Sequence, residues 1–556
     1  MSPRKKRQGK GGTGPRARPL DVDLAEIQAI IERTRVGPLS AEESAILEAL
    51  MHTVAFVTAE LQSKRTSIAR LRALLFGAKT ERTRDVLGRQ AQPGAGGDTA
   101  AGAQAKARPK APGHGRRRAA AYTGAETVAV PHPSLHPGDP CPGCPKGRIH
   151  PLPEPVRLVR IRGMAPLAAT VYEKEHLRCN LCGEVFTAPS PPGVGEQKYD
   201  ETATAMVALL KYGTGLPFHR IERLQAGLGI PLPASTQWEL VRDGAEALAP
   251  AHEALVRQAA QGEVLYNDDT TAKILDLTPK QRAAAAADEQ TDERTGVFTS
   301  GIVATGDGHP VALFCTGVQH AGENLADVLA RREPERPRPI QMSDALSSNT
   351  CGDFDAIVAR CTAHARRKYV EVAGAFPEEC AYVLEQLAKV YQHDAEARRQ
   401  GLSPSQRLEY HQEHSEPVMA ALETWMQEQL DERRVEPNSG LGKAIAYMQN
   451  HWDGLTLFLR EPGAPLDNNL CERALKKAIL HRKNALFFKT QNGARVADLY
   501  MSFIHTCELN EVNPFDYLVA LLQHHEALAQ APADWMPWSY RAALAALGAD
   551  PDPPPP

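Results

Sequence analysis

The sequence predicts a mixed α/β protein whose core carries a helical insertion and follows an N-terminal coiled-coil helix and a zinc-ribbon-like module. Three observations predict this fold class. β-Branched and apolar runs bounded by turn residues begin at residue 263, residues 366–460 are almost wholly helical in pattern, and two Cys-x-x-Cys pairs precede both regions. Strands followed by helices, with acidic residues where strands end, indicate a mixed α/β core.

Length and composition limit the class of protein. The chain has 556 residues, 42% of them hydrophobic, which is enough for about two to four folding units and at least one large core. The net charge of −3 does not by itself point to nucleic acid. Ten cysteines, of which four form the two pairs, fit a reducing compartment better than a disulfide framework. Neither a membrane span nor a signal peptide is evident, so we expect a cytoplasmic protein.

Residues 1–40 are predicted to be a disordered basic arm. The first 18 residues carry seven basic side chains and no acidic one. Such an arm contacts phosphates or merely increases solubility, and the sequence leaves both interpretations open.

Residues 41–82 are predicted to form a coiled-coil helix. Apolar residues follow one another in steps of three and four over about four heptads, and Lys64 is the only break. We therefore expect a homodimer or a higher multimer, the alternative being an amphipathic helix packed on its own domain. The predicted core positions are Leu47, Leu50, Val54, Val57, Leu61, Ile68, Leu71 and Leu75.

Residues 83–136 are predicted to be a disordered basic linker. Gly, Ala, Pro and Gln dominate this stretch, and three consecutive arginines at 116–118 add positive charge. A second polar, Ala-rich interruption spans 278–294, and 544–556 form a Pro-rich tail.

Residues 137–192 are predicted to form a zinc-ribbon-like domain with one structural Zn²⁺. Cys141 and Cys144 make one Cys-x-x-Cys pair, Cys179 and Cys182 make the other, and 34 residues separate them. Each pair suits one side of a tetrahedral zinc ion, and strands are expected between the pairs, at 156–161 and 168–172. The predicted domain contacts DNA or only stabilises the fold, and the sequence leaves both open. The alternative to a zinc site is four free structural thiols.

Residues 196–260 are predicted to be a helical, helix-turn-helix-like DNA-binding unit. Leu216 and Pro217 open one helix, Gly227 and Gly229 end it, and Ser235 is a suitable N-cap for the next, which carries Gln237 and Trp238. The second helix would enter a major groove, although an all-α connector gives the same pattern.

Residues 261–500 are predicted to form the α/β core, with its helical insertion at about 370–460 and with C-terminal helices at 501–543. The run at 297–305 ends in Gly-Asp-Gly and precedes a partner strand at 311–315, which predicts a hairpin.

Three acidic residues of this core are candidate metal ligands. Asp268, beside Asp269, and Asp344 each end a predicted strand, and Glu472 lies in a helix capped by Asp467 or Asn468. Such residues can converge from distant positions. Two Mg²⁺ or Mn²⁺ ions about 4 Å apart need hard oxygen ligands of this kind, which leave room for water and phosphate.

Basic side chains accompany these acids. The segment after Glu472 alternates cations with apolar residues, which suits phosphate binding beside a metal site. A second such cluster spans 361–369, for which a solvated charged helix face is the alternative. The candidate DNA-binding residues are His364, Arg366, Arg367, Arg473, Lys477, Arg482 and Lys483; Lys476, His481 and Lys489 share the second segment.

On these residues the sequence resembles the bacterial insertion-sequence family sixty-six of transposases. The likeness covers most of the chain, from the helix that ends near Glu81, through both cysteine pairs, to the C-terminal helices. Its most specific block is Asp467-Asn468-Asn469-Leu-Cys-Glu472-Arg473, continued by Arg482-Lys483-Asn484-Ala-Leu486-Phe487.

The resemblance implies an RNase H-like catalytic domain with a DDE triad, matched here by Asp268, Asp344 and Glu472. The family's first motif usually reads Asp-Glu-Thr, whereas this chain has Asp268-Asp269-Thr270, so Asp269 stays an alternative ligand. The implied activity is metal-dependent cleavage at insertion-sequence ends and transfer of the 3′-hydroxyl strand into target DNA. The implied partners are DNA, a second copy of the chain and accessory proteins of the same element, in a bacterial, nucleoid-associated setting.

Two other functions fit the same residues. One is an RNase H-like nuclease that cuts but does not join strands. The other is a zinc-dependent DNA-binding protein with a decayed nuclease core, which the intact set of three acids disfavours.

Overall fold

The computed structural model describes residues 197–277 and 296–548, apart from positions 307 and 353, together with parts of 129–195. The predicted basic arm, the coiled-coil helix and nearly all of the linker lie outside the described residues. So do the interruption at 278–294 and the last eight residues of the Pro-rich tail.

The N-terminal module, the described part of residues 137–192, contains a short hairpin with Cys182 between its strands. Strand β1 (His176–Arg178) pairs antiparallel with β2 (Val185–Thr187). The strand predicted at 168–172 is not formed, because this stretch has no partner strand among the described residues, and Val171 is 85% exposed. The other predicted strand, at 156–161, lies outside the described residues.

Three helices precede the central sheet. The first continues as a π-helix, Leu209–Gly213, and the third is 27 residues long. Their bounds are α1 Glu201–Ala208, α2 Phe218–Gly227 and α3 Ala234–Ala260.

The turn between α2 and α3 begins the third helix earlier than the predicted cap. Pro233 is the N-cap, and its fixed φ of −59° suits a helix start, so Ser235 lies inside the helix. Gln237 is fully buried, and its Nε2 donates to the carbonyl oxygens of Leu232 and Phe218 at 2.9 and 3.2 Å. Gln237 therefore holds the turn together and is not presented to a DNA groove.

The central sheet has five strands in the order β5-β4-β3-β6-β7. β3, β4 and β5 pair antiparallel, as the predicted hairpin requires, whereas β6 and β7 run parallel to β3. Their bounds are β3 Val264–Thr271, β4 Phe298–Thr305, β5 Val311–Gly317, β6 Ile340–Ser343 and β7 Ile357–Arg360. Helix α4 (Ala321–Leu329) connects β5 to β6.

The described chain leaves the sheet after β7, forms a set of helices and comes back to the point where it left. The backbone N–H of Thr362, just after β7, donates to the carbonyl of Leu466 at 3.0 Å. Because the two ends meet, the inserted helices do not separate the elements on either side. They are α5 Thr362–Val372, α6 Pro377–Arg399, α7 Pro404–His414, α8 Glu416–Asp431, α9 Gly440–Asn450 and α10 Trp452–Leu455.

The last described helices pack on the sheet and on α1–α3, and together they bury one continuous apolar core. Full burial of large side chains such as Tyr500, Phe503 and Leu265 provides the main driving force for this packing. The helices are α11 Asn469–Ala485, α12 Gln491–Leu509, α13 Pro514–Gln523, α14 His525–Gln530 and α15 Tyr540–Ala546.

Helix α12 also bonds to the outer strand, β5. The backbone N–H groups of Ala312, Phe314 and Thr316 point away from β4. They donate to Thr506 Oγ1, Ser502 Oγ and Asp498 Oδ2 at 3.0, 3.0 and 2.7 Å. The three acceptors are four residues apart, so they form one stripe along the helix. Side chains of α12 thus satisfy donors that another strand would otherwise bond.

Candidate active site

Parallel pairing of β3 with β6 brings Asp268 and Asp344 side by side. Tyr266 pairs with Met342, and each aspartate lies two residues further along its chain, on the same face. Asp268 is not at the end of its strand as predicted, because pairing with β4 continues to Thr271 after pairing with β6 has stopped.

One side-chain amide lies between the two carboxylates. Nδ2 of Asn349 donates to Asp344 Oδ1 at 2.8 Å and to Asp268 Oδ1 at 3.3 Å. The Asn349 side chain is buried, and its Oδ1 has no hydrogen-bond partner among the described residues. A single donor therefore serves both acids.

A buried amide network holds Asn349 in place. The side-chain amides of Asn267 and Gln341 both donate to the backbone oxygen of Asn349 at 2.7 Å, and Gln341 also donates to Asn267 Oδ1 at 2.9 Å. Arg360 supports the same loop by donating to the backbone oxygen of Asp344 at 2.6 Å. None of these four residues was predicted as part of the site. Asn267 and Gln341, polar side chains inside apolar strands, were the available signal.

Helix α11 brings Glu472 towards Asp268 by crossing the sheet closely. Gly301 pairs with Asp268 in the neighbouring strand, and the Cys471 thiol donates to the carbonyl oxygen of Gly301 at 3.2 Å. A Cβ atom at Gly301 would lie 3.0 Å from the Leu475 side chain, closer than most packed side chains come, so Leu475 would have to move. Glycine at this position thus permits the approach that places Glu472 beside Asp268.

Asn468 is the N-cap of α11, one of the two predicted positions, but its side chain makes no capping bond. Instead its Nδ2 donates to the Asn267 carbonyl at 3.0 Å, and its backbone N–H donates to Cys361 Sγ at 3.2 Å. Asp467 Oδ1 accepts the backbone N–H of Asn469 at 3.1 Å. Asn468 therefore links the start of α11 to β3 and to the start of the inserted helices.

His364 lies against Glu472. Its Nε2 is 3.8 Å from Glu472 Oε1, and ligand atoms of Cys361, His364 and Glu472 all lie within 4.8 Å of one another. His364 Nδ1 is buried and has no hydrogen-bond partner among the described residues. His364 therefore faces Glu472 in the site, and its predicted contact with DNA phosphates stays a prediction.

The electrostatics of the site favour a bound cation. Burial, together with the negative charges of Asp344, Asp269 and Glu472, raises the pKa of Asp268 to about 7. A hydrogen bond from the Asp269 backbone opposes this shift. Glu472 Oε1 is buried without a hydrogen-bond partner among the described residues. Crowded carboxylates and an unpaired buried oxygen are hard ligands, so the residues present fit divalent ions such as Mg²⁺.

The neighbouring acid, Asp269, points to the opposite face of β3, as successive strand residues do. Its Oδ2 lies 2.8 Å from Nδ1 of His320, at the start of α4. The geometry therefore groups Asp268, and not Asp269, with Asp344 and Glu472.

The predicted DNA-binding cations of α11 have different surroundings. Arg473 and Lys483 are exposed, whereas Lys477 pairs with Glu508 of α12 at 2.7 Å. Arg482 donates to Thr270 Oγ1 at 3.0 Å and also to Thr271. The other two predicted cations, Arg366 and Arg367, lie half-buried on α5.

His481 is not a surface cation. It is 2% exposed, and its Nε2 lies 2.9 Å from Nζ of the equally buried Lys211. Burial, together with this neighbouring ammonium, lowers the pKa of His481 to about 3, and burial lowers the pKa of Lys211 to about 8. His481 is therefore neutral and accepts a bond from Lys211.

The described cysteines of the N-terminal module lie in tight turns. The N–H of Cys141 donates to the Gly147 carbonyl at 2.9 Å, and the N–H of Cys144 donates to the Cys141 carbonyl at 3.3 Å. Cys182 lies in the turn between β1 and β2. Cys179 lies outside the described residues.

Comparison with known proteins identifies the family. Residues 197–496, more than half of the chain, match the model of the transposase IS66 family. The uncharacterized protein y4hP of Sinorhizobium fredii is 26% identical over 74% of this chain and 75% of its own length. A second uncharacterized protein of that organism, y4jD, is 27% identical over 66% of this chain and 71% of its own length.

The chain belongs to the IS66 family of transposases. Membership gives it a transposase role, implies DNA as its partner and suggests the use of divalent metal. None of the described helices combines the length and the apolar character that crossing a membrane requires.

Proposed function

We propose that the chain is a DDE transposase that cleaves DNA at insertion-sequence ends and joins the freed 3′-hydroxyl to target DNA. The observation that carries this proposal is the shared amide donor. Asn349 bridges Asp268 and Asp344, two acids from distant parts of the sequence. The charge of Glu472 acts on Asp268, and Glu472 Oε1 accepts no hydrogen bond from the described residues. Family membership supplies the type of substrate, and this geometry supplies the candidate residues.

An RNase H-like assignment of the core has independent support. Three antiparallel strands are followed by two that run parallel to the first, and the three acids come from β3, the end of β6 and the first turn of α11. The inserted helices begin and end beside one another, so the third acid reaches the first two despite the long separation in sequence.

We assign the metal-binding role to Asp268, Asp344 and Glu472. Divalent ions held there would activate the attacking water or 3′-hydroxyl and stabilise the leaving oxygen. Asn349 and Asn468 would keep the three carboxylates in position through their bonds to Asp344 and β3.

Basic side chains on α11 and α5 would bind the phosphates of the DNA. Lys483 lies eleven residues, about three helical turns, beyond Glu472, so it shares the face of α11 that carries the acid. Arg473 and Arg482 flank that face, and His364, Arg366 and Arg367 would contribute from α5. Lys477 serves this role only if it exchanges Glu508 for a phosphate.

Two further parts of the proposal concern assembly. A structural zinc ion would be held by Cys141, Cys144, Cys179 and Cys182; two of these are in tight turns and Cys182 follows a strand. The helix at 41–82 would pair protomers as a coiled coil, so that two DNA ends are held in one complex.

The experiment is cleavage of end-containing DNA with Mg²⁺ or Mn²⁺ by the full chain and by Asp268→Asn, Asp344→Asn and Glu472→Gln. We expect each variant to lose nicking by several orders of magnitude while it still binds DNA. Asp269→Asn is the matched control, because Asp269 faces the other side of β3, and it should keep most of the activity. Equal cleavage by wild type and Glu472→Gln would refute the triad.

Joined products separate the transposase from a nuclease that only cuts. With labelled, pre-cleaved ends and a circular target, strand transfer gives labelled products of the target's size. Nicking without such products would favour the nuclease alternative.

A further inference from the structure

A groove lies between the end of β3 and the end of α11, further along the two elements that carry Asp268 and Glu472. β3 contributes Asp268 to the candidate active site and Thr270 and Thr271 to the groove, while α11 contributes Glu472 to the site and Arg482 to the groove. Leu486 and Phe487, which follow α11, complete its wall. The two sites are therefore built on the same two elements.

A strained turn presents the apolar part of the groove to solvent. Leu486 has φ of 68° and ψ of −38°, and the N–H of Phe487 donates to the Ala485 carbonyl at 2.9 Å, which defines a γ-turn. A leucine adopts a positive φ only at a cost. The turn leaves Leu486 65% and Phe487 42% exposed.

The next residue, Phe488, anchors the exposed side chains of Leu486 and Phe487 to the rest of the core. The N–H of Phe488 donates to the Lys273 carbonyl at 2.8 Å, and the N–H of Leu275 donates to the Phe488 carbonyl at 2.9 Å. The Phe488 ring stacks on buried His481 at 4.8 Å between ring centroids. These contacts hold the backbone next to Phe487 in place, so its ring stays exposed in one position.

Two cations, Lys273 and Arg482, line the groove, and Lys483 follows Arg482 in the chain. Lys273 and Lys483 are exposed, and the bonds of Arg482 to Thr270 and Thr271 fix its guanidinium at the edge of the groove. An aromatic ring among cations is complementary to a nucleotide, whose base stacks while its phosphates pair with the charges. An apolar protein segment would leave these charges without a partner.

The spacing places the groove a few nucleotides from the carboxylates. Three residues of strand separate Asp268 from Thr271, a distance of about 10 Å. Ten residues of helix separate Glu472 from Arg482, a distance of about 15 Å. At roughly 3.4 Å of rise per nucleotide, the groove is about three to four nucleotides from a reacting phosphate.

We propose that the groove binds one unpaired nucleotide of the DNA strand that enters the carboxylate site, with its base stacked on Phe487 and its phosphates held by Arg482, Lys273 and Lys483. A base inside a duplex is covered by its neighbours, so only an unpaired or extruded base offers Phe487 a face. This inference deepens the proposed function and rests on it.

The test uses the full chain carrying Glu472→Gln, so that the probe stays intact, and a duplex with a short 3′ single-stranded tail containing one 2-aminopurine. Stacking on Phe487 should quench 2-aminopurine at one tail position. Phe487→Ala should remove the quenching and weaken binding of the tailed duplex by about tenfold or more, but not binding of the blunt duplex. Phe487→Trp should restore both.

Leu547→Ala is the matched control, because Leu547 is 53% exposed and far along the chain from the groove. It should bind the tailed duplex as the parent does. Equal quenching with and without Phe487, or no preference for the tailed over the blunt duplex, would overturn the proposal. Failure of the proposed function would be seen separately, as no difference in cleavage between wild type and Glu472→Gln.

Discussion

The side-chain nitrogen of Asn349 lies 2.8 Å from Oδ1 of Asp344, and the same nitrogen also reaches Asp268. Because Asn349 Oδ1 has no partner among the described residues, rotation of the amide by half a turn would offer that oxygen to a cation instead. Asn349 thus positions the two carboxylates through Nδ2 and, after such a rotation, would be an oxygen donor to a divalent ion.

Asn349→Ala should weaken the site's hold on divalent ions. Loss of a group that orients metal ligands typically costs about 10- to 100-fold in metal affinity or activity. We expect the Mg²⁺ concentration for half-maximal cleavage, and the Mn²⁺ dissociation constant from calorimetry, to rise by that factor. Ser347→Ala changes an exposed residue of the same loop and should leave both values unchanged. An unchanged Mn²⁺ affinity in Asn349→Ala would exclude this role.

The pair formed by Lys211 and His481 should be coupled in stability. His481→Phe keeps a ring that can stack between Tyr212 and Phe488 but leaves the buried Lys211 ammonium without its acceptor. The free energy of unfolding should fall by about 1–3 kcal/mol. Lys211→Met combined with His481→Phe should recover part of that loss, as a double-mutant cycle in urea would measure. Additive effects would mean that the two residues do not interact.

Because His481 is buried and neutral, His481→Phe should leave the affinity for blunt duplex DNA unchanged. Arg473→Ala is the comparison, since Arg473 is exposed, and it should weaken the affinity and reduce its dependence on salt. A loss of affinity in His481→Phe at equal folded fraction would contradict the assignment.

Asp498 predicts a dependence of stability on pH. Burial raises the pKa of this carboxyl to about 7, although two hydrogen bonds from Thr316 oppose the shift. The folded state therefore binds the proton more tightly than the unfolded state, and the stability gained below pH 4 is lost as pH rises through 7.

Asp498→Asn cannot titrate, so it isolates this effect. Relative to wild type, its free energy of unfolding should rise between pH 4 and 7, by up to roughly 4 kcal/mol, and level off above that range. Urea unfolding of both proteins at several pH values measures the difference. A difference that does not vary with pH would show that Asp498 keeps an ordinary pKa.

The N-terminal module predicts one zinc ion per chain. Metal analysis of the purified protein should find about one zinc, and Cys144→Ser or Cys182→Ser should lose it. Cys315→Ser is the control, because Cys315 lies in β5 and burial raises the pKa of its thiol to about 12. Zinc content that survives Cys144→Ser would reject the four-cysteine site.

The sequence predicted those parts of the fold in which local pattern and tertiary environment agree. The runs at 264–266, 297–305 and 340–342 are β-branched and apolar and form strands, and Gly306, with φ of 125°, makes the predicted hairpin turn. The stretch at 168–172 has the same local pattern but no partner strand among the described residues. Strand formation depends on that partner, which the local pattern does not reveal.

The sequence predicted the acidic residues of the candidate site but not the residues that position them. Asp268, Asp344 and Glu472 stand out by position and by resemblance. Asn349 ends the short 3₁₀ turn Ser347–Asn349, and only the register of β3 and β6 brings it between two carboxylates. Likewise, Lys477 and His481 read as surface cations, because sequence alone does not show Glu508 or Lys211 opposite them.

The stripe of Asp498, Ser502 and Thr506 along α12 has a consequence for self-association. Since these side chains already occupy the outward N–H groups of β5, a strand from a second molecule cannot add there and extend the sheet. Copies of the chain must associate through other surfaces. A product truncated before residue 498 would expose this row of donors and become prone to aggregation, so α12 protects solubility as well as completing the core.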